Sequence, residues 1–353
     1  VSALPLDSVT TWLRAHAPFD ISGPLTATLL ANGRSNLTYR VTDAAGRSWA
    51  IRRPPLGHVM PTAHDLTREY TVLTGLSGNY PVPRPWLLCG DDSVIGVPFL
   101  VMDFIEGTVI ADRAGADRLS TDQADRVCRL LVDSLARLHA VDAVACGLGG
   151  FGKPEGYLAR QVRRWGEQWQ LSKTRELASM DVMARWLGEN VATLAPDLPW
   201  SIVHGDFRVD NMIVATDASE VRAVVDWEMS TLGDPIADLA VTLVYWAEAG
   251  DGLRAEVAVA EGLTAGPGFW TREQIVDHYA TISGRGMEQL GFCLVLACYK
   301  LAVIMESLNH RARMGMQLGR AVEQGEDTEH AVVALAQLGE RLVDDPDVAT
   351  LRS

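Results

Sequence analysis

The sequence predicts an α+β chain of two lobes: a strand-rich segment over residues 1–104 and a larger, mainly helical segment over 105–353. Two observations carry that division. Residues up to about 105 contain short apolar runs bounded by Gly, Asn and Asp, whereas from about residue 120 the apolar positions recur at helical spacing. A third observation marks where to look for chemistry. Residues 200–235 interrupt the helical region with short strands and loops and hold a dense polar cluster. Loops carried on a rigid scaffold are where function concentrates.

In chain order, VSALPLDSVTTWLRAHA reads as a cap and a short amphipathic helix. LTATLLANG, LTYRVTDAAGRSWAIRR and VIGVPFLVMDFI read as strands, with AAGR (44–47) a hairpin turn. AHDLTREYTVLTGL (63–76) is the one helix among them, with Leu66, Tyr70 and Leu73 on one stripe. The three prolines of PVPRPW (81–86) forbid a helix and suggest an extended connector. STDQADRVCRLLVDSLARLHAVD opens the helical part with a Ser/Thr cap and a face of Val127, Leu131, Leu135 and Leu138. Further helices fit 155–172, 179–194, 237–249, 272–282, 287–310 and 325–344, and the bend near EGT (106–108) is the natural boundary between lobes.

Bulk numbers narrow the function. A net charge of −14 argues against a general binder of nucleic acid or membrane surface, since either polyanion would be repelled. The five cysteines (Cys89, Cys128, Cys146, Cys293, Cys298) form no CxxC, which fits reduced thiols in a cytoplasmic protein. No secretion-signal layout opens the sequence. The apolar run 291–305 is interrupted by Lys300 and reads as a buried core helix rather than a membrane span. The histidines show no HExxH pairing, so a dedicated zinc site is not expected.

The polar cluster is HGDFRVDN (204–211), with VVDWE following and Asp226 fifteen residues beyond Asn211. Asp206 follows a glycine that can take an unusual turn and project the carboxylate. Asn211 offers a neutral oxygen and Asp226 a charged one, hard donors that suit magnesium better than zinc. A further carboxylate can accept a proton from a hydroxyl. One base, two metal ligands and a nearby cation, Arg208, are the set needed to move a phosphoryl group. The same residue types also cap turns, and the cluster alone is compatible with that reading.

HGDFRVDN followed by VVDWE resembles the catalytic loop and metal-binding aspartate of the aminoglycoside phosphotransferase-like family, within the protein-kinase-like fold. STLGDPIADLA (230–240) resembles the segment that follows in that family, and the wording is closest to the branch associated with acyl-CoA dehydrogenases. The resemblance covers about residues 25–240 and continues more loosely beyond. It implies an N-lobe antiparallel sheet plus helix and a helical C-lobe, with ATP and magnesium as cofactors. By it, Asp206 is the catalytic base, Arg208 stabilises charge on the transferring group, and Asn211 and Asp226 hold the metal. His204 buttresses the loop, while Asp210, Asp234 and Asp238 stabilise loops and helix caps.

The resemblance also places the nucleotide. LLANGRSNLTYRV falls where a phosphate-covering hairpin belongs, with Gly33, Ser35 and Asn36 in place of GxGxxG. Arg52 in SWAIRRPP takes the position of the ATP-binding lysine, and Glu69 that of its helix partner. LVMDFIEG resembles the hinge, with Met102 behind the adenine and backbone groups of Asp103 and Ile105 on the purine edge. The function implied is phosphorylation of a hydroxyl on a small metabolite, with a hydroxyacyl-CoA suggested by the dehydrogenase-associated relatives. The alternatives are an aminoglycoside or sugar-alcohol kinase, and a nucleotide-binding pseudokinase partner of an acyl-CoA dehydrogenase. EGYLARQVRRWGEQWQ (155–170) is either a solvated amphipathic helix or an arginine-and-aromatic surface for an anionic acceptor.

Overall fold

A computed structural model describes residues 4–32, 36–54, 66–194, 199–257, 262–314 and 325–352. It has the two-lobed protein-kinase-like fold. The N-lobe is a five-stranded antiparallel sheet in the order β1 (Thr26–Asn32), β2 (Leu37–Thr42), β3 (Ser48–Arg53), β5 (Phe99–Asp103), β4 (Pro85–Cys89). Helix α1 (Leu6–His16) covers one face with Val9 and Leu13, which join Val41, Ile51 and Val101 in one cluster. Helix α2 (Leu66–Leu76) covers the other through Val72 and Leu73, beside Ala50, Leu100 and Met102. Both faces of β5 are therefore buried, which explains why FLVM is a continuous apolar run instead of an alternating one.

The turn expected at 44–47 joins β2 to β3, with Asp43 accepting from the Ala45 and Arg47 backbone N–H groups. Two expectations need correction. PVPRPW is not only a connector: Pro85 and Trp86 begin β4, an edge strand whose register shifts between Pro85 and Leu87. An edge and a bulge are the places where a sheet tolerates proline. VIGVPFLVMDFI is not one strand either. Val94 and Ile95 lie in a single helical turn, α3 (Asp92–Ile95), capped by Asp91 and ended by Gly96 in the left-handed region.

The remaining strands are short: β6 (Thr108–Val109), β8 (Met212–Val214) and β9 (Val221–Val224) form one small sheet, and β7 (Ser201–Val203) pairs with β10 (Thr231–Gly233). Around them lie α4 (Arg113–Ala116), α5 (Thr121–His139), α6 (Tyr157–Ser172), α7 (Ala178–Asn190), α8 (Pro235–Tyr245), α9 (Arg272–Ser283), α10 (Leu290–Arg313) and α11 (Gly325–Asp344). A capping box between Ser120 and Gln123 starts α5. Every residue of α8 is buried, so it forms the axis on which the loops of 204–234 are hung. By length and composition α10 could cross a membrane, but most of its apolar stretch is buried inside the fold, packed on α6, α7, α8 and α11.

Candidate active site

Strand β7 delivers the chain to Gly205, whose φ of 83° is open to glycine but strained for other residues. A Cβ there would stand 2.7 Å from the Met229 carbonyl oxygen, so the turn also needs glycine for space. Asp238 on α8 fixes this turn from beneath, accepting the backbone N–H of His204 and of Gly205, each at 2.7 Å. His139 on α5 approaches the same carboxylate at 3.2 Å through Nε2, and its Nδ1 lies 2.6 Å from the Tyr279 hydroxyl. Burial works against the Asp238 charge, but His139 and the backbone N–H of His204 more than offset it and hold the carboxyl below its usual range. Burial likewise pushes the His139 imidazole below its usual range, so it stays neutral. His204 joins the loop to the next one, with Nε2 3.0 Å from the Val225 carbonyl.

This network has a pH signature. On acidification the unfolded chain takes up a proton at a histidine pKa of about 6.5, before folded His139 does, so stability falls as pH drops below that value. Asp238 adds a loss at lower pH, below the unfolded carboxylate value. Urea midpoints should therefore fall between pH 7 and pH 5, and His139→Gln should flatten part of that slope. An unchanged slope in the variant would show that His139 does not carry it.

The loop then turns Asp206 outward. Its carbonyl accepts from Asn211 Nδ2 at 2.8 Å and its carboxylate from the same group at 3.3 Å, leaving Asn211 Oδ1 without a partner among the described residues. Arg208 lies 3.9 Å from the Asp206 carboxylate, bonds Asp210, and stacks 4.6 Å from the centre of the Tyr245 ring. Its guanidinium is therefore committed to bracing the loop. Tyr245 also stands near Asp206, and burial, with the Asp206 charge, raises the pKa of its hydroxyl.

Asp226 begins the second loop in the left-handed region, φ 70° and ψ 58°. Outside glycine this conformation is uncommon, with aspartate and asparagine tolerating it best, and unusual backbone of this kind gathers at functional sites. The Arg52 guanidinium from β3 reaches across to bond Asp226, with Glu228 3.5 Å and Glu69 3.1 Å away. Burial opposes the Arg52 charge, yet the three carboxylates raise its pKa. Burial raises Glu69, with Arg52 opposing; Asp226 resists its own burial because Arg52 holds it lower. Glu69 also accepts from the Trp227 backbone N–H, so α2 is coupled to the Asp226 turn. Asn36 completes the bridge between lobes, its Nδ2 3.1 Å from Glu228, while its buried Oδ1 has no hydrogen-bond partner among the described residues.

Three carboxylates around one guanidinium leave an excess of negative charge that a divalent cation would balance. The available donors, Asp226, Asn211 Oδ1 and Glu228, are all hard oxygens, a set that fits magnesium. No three His, Cys, Asp or Glu side chains among the described residues form a ready-made ligand cluster, so water and phosphate oxygens would complete the shell.

At the hinge position, Met102 is buried opposite Ala50 of β3. The Asp103 backbone N–H donates to the Arg84 carbonyl at 2.9 Å, so only the Asp103 carbonyl could serve a ligand. The Ile105 N–H has no partner among the described residues. Gly33 and Ser35 lie outside the described residues.

Glu228, Tyr245 and Lys300 were not singled out by sequence reasoning. Glu228 stood two places after Asp226 and could have been weighed as a donor. Lys300 was visible only as the single charge in an apolar run, although its Nζ donates to the Gly205 carbonyl at 2.6 Å. On α6 the aromatic-surface reading fails for the tryptophans: Trp165 and Trp169 are buried, and Arg160 is tied to the Lys153 and Glu155 carbonyls.

Comparison with known proteins shows the family. Residues 26–273 match the model of the phosphotransferase enzyme family. A relative from Gallus gallus, acyl-CoA dehydrogenase family member 11, is 32% identical over 329 residues, covering 91% of this chain and 41% of that protein. The chain thus spans less than half the length of that relative. The crystal structure of a candidate aminoglycoside phosphotransferase from Ralstonia eutropha JMP134 superposes with a TM-score of 0.78 at 29% identity, over 97% of this chain and 99% of the other. A thermostable aminoglycoside phosphotransferase mutant in a ternary complex with ADP and hygromycin B has a TM-score of 0.60 at 13% identity, over 90% and 94% of the two chains, a likeness of fold alone. The chain belongs to the phosphotransferase enzyme family.

Proposed function

We propose that this small-molecule kinase uses ATP and magnesium to phosphorylate a hydroxyl group, and that its acceptor class is the hydroxyacyl-CoA thioesters. The observation that supports the chemistry best is that Asn211 bonds Asp206 in one loop while Arg52 bonds Asp226 in the next, the two loops being joined by the Val225 N–H to the Asn211 carbonyl. Asp206 would take the proton of the acceptor hydroxyl, whose oxygen attacks the γ-phosphorus as the bond to ADP breaks. Arg52, Asn211 and Asp226 would hold the triphosphate in line, and alignment supplies much of the acceleration in such reactions. Asn211 and Asp226 would hold magnesium, whose charge would offset that of the phosphate oxygens.

The acceptor class draws on the relative's name, which belongs to a longer protein of the acyl-CoA dehydrogenase family. Purified chain incubated with magnesium, ATP and 4-hydroxyacyl-CoA thioesters should release ADP and give a product heavier by one phosphoryl group. ADP release no higher than the blank removes that class. Parallel incubation with kanamycin-type amines reads the aminoglycoside alternative, and transfer there alone would replace the acyl-CoA reading.

A further inference from the structure

Between Leu290 and Met305, α10 carries a single charged side chain, Lys300. Its neighbours Tyr299, Leu301, Ala302 and Val303 are buried, and the helix passes through the centre of the C-lobe. A methionine would fill such a position at no cost in desolvation. Burial pushes the lysine pKa below its usual range, with Asp206 and Asp238 acting in the opposite sense. A lysine kept against that penalty calls for a use.

The contacts indicate one. The ammonium donates to the Gly205 carbonyl oxygen at 2.6 Å and stands 5.9 Å from the centre of the Trp165 ring on α6. Gly205 is the residue whose left-handed turn presents Asp206. Its N–H is already held by Asp238 from α8, so Lys300 secures the opposite end of the same residue. A lysine has three N–H donors, and the Gly205 carbonyl takes one of them. The residue as a whole is only partly buried.

We propose that Lys300 is a positioning residue of the phosphotransferase site: by fixing the Gly205–Asp206 peptide from α10, it holds the Asp206 carboxylate where an acceptor hydroxyl must meet it. This rests on the reading of Asp206 as the base. Arg208 and Tyr245 constrain the carboxylate, whereas Lys300 and Asp238 constrain the backbone that carries it.

The test compares wild type, Lys300→Met and Lys300→Arg in turnover, affinity for a non-hydrolysable ATP analogue with magnesium, melting temperature and amide hydrogen exchange. The methionine variant should lose about tenfold to a hundredfold in kcat, the size of effect that small misplacements produce. Its analogue affinity should stay within about twofold, its melting temperature should not fall, and exchange should quicken in the peptide 203–211. Arginine, which can still donate to the Gly205 carbonyl, should recover part of the loss. Unchanged exchange at 203–211 in the methionine variant overturns the proposal. So does a loss of turnover accompanied by equal losses of analogue affinity and melting temperature, which would mark a purely structural tie. If the wild type phosphorylates none of the thioesters, the acceptor reading fails by itself. Exchange at 203–211 needs no acceptor and then decides the role of Lys300.

Discussion

Asp206→Asn should lower phosphoryl transfer by about a hundredfold to ten-thousandfold, the range ascribed to a positioned general base. Asparagine keeps the shape and the capacity to bond Asn211, so the fold and the metal-dependent binding of nucleotide should persist. The variant therefore separates catalysis from binding. Loss of turnover with nucleotide affinity retained is the expected result. A variant that turns over at the wild-type rate would remove Asp206 from the chemistry and leave the pseudokinase alternative in place. Asp206 sits close to Arg208, so part of the loss would come through release of that guanidinium; Arg208→Ala measured alongside apportions the two contributions.

Asp226→Ala is the second large effect, expected to cost about a hundredfold or more because electrostatic stabilisation of a transferring phosphoryl group is commonly worth that much. Alanine removes the carboxylate proposed to hold the metal and also frees Arg52 to settle on Glu69 and Glu228. The left-handed backbone at this position strains alanine, whereas asparagine tolerates it, so Asp226→Asn controls for local distortion. Retention of more than about a tenth of the rate in both variants would contradict a metal role for this carboxylate. Raising magnesium should recover part of the asparagine variant's activity and little of the alanine variant's.

How much of this could be read from the residues depends on how far each contact reaches. The hairpin at 44–47, the helix at 121–139 and the helical run of the C-lobe follow from local periodicity and capping, and the structure has them close to their expected limits. Edge strand β4 escaped because three prolines argue against a strand, and the rule that an edge accepts them needs knowledge of the sheet order. The juxtaposition of Arg52, Glu69 and Asp226 came from resemblance, since no local pattern joins a strand, a helix and a loop separated by up to 174 residues. Glu228 was readable in VVDWE but had no claim over any other turn acid until Asn36 and Arg52 were seen beside it. Lys300 was opaque for the same reason: its partner lies 95 residues away, and a lone lysine in an apolar run says only that something must compensate it. On α6 the sequence left an amphipathic helix and an arginine-and-aromatic surface both open, and the buried rings of Trp165 and Trp169 favour the amphipathic helix.

The most direct test is a crystal structure of the wild-type chain with magnesium and a non-hydrolysable ATP analogue. A metal ion held at about 2.0–2.1 Å by oxygens of Asp226 and Asn211, with the γ-phosphate facing Asp206, is the expected result. A nucleotide bound elsewhere, or a metal coordinated without either side chain, would contradict the assignment of this cleft.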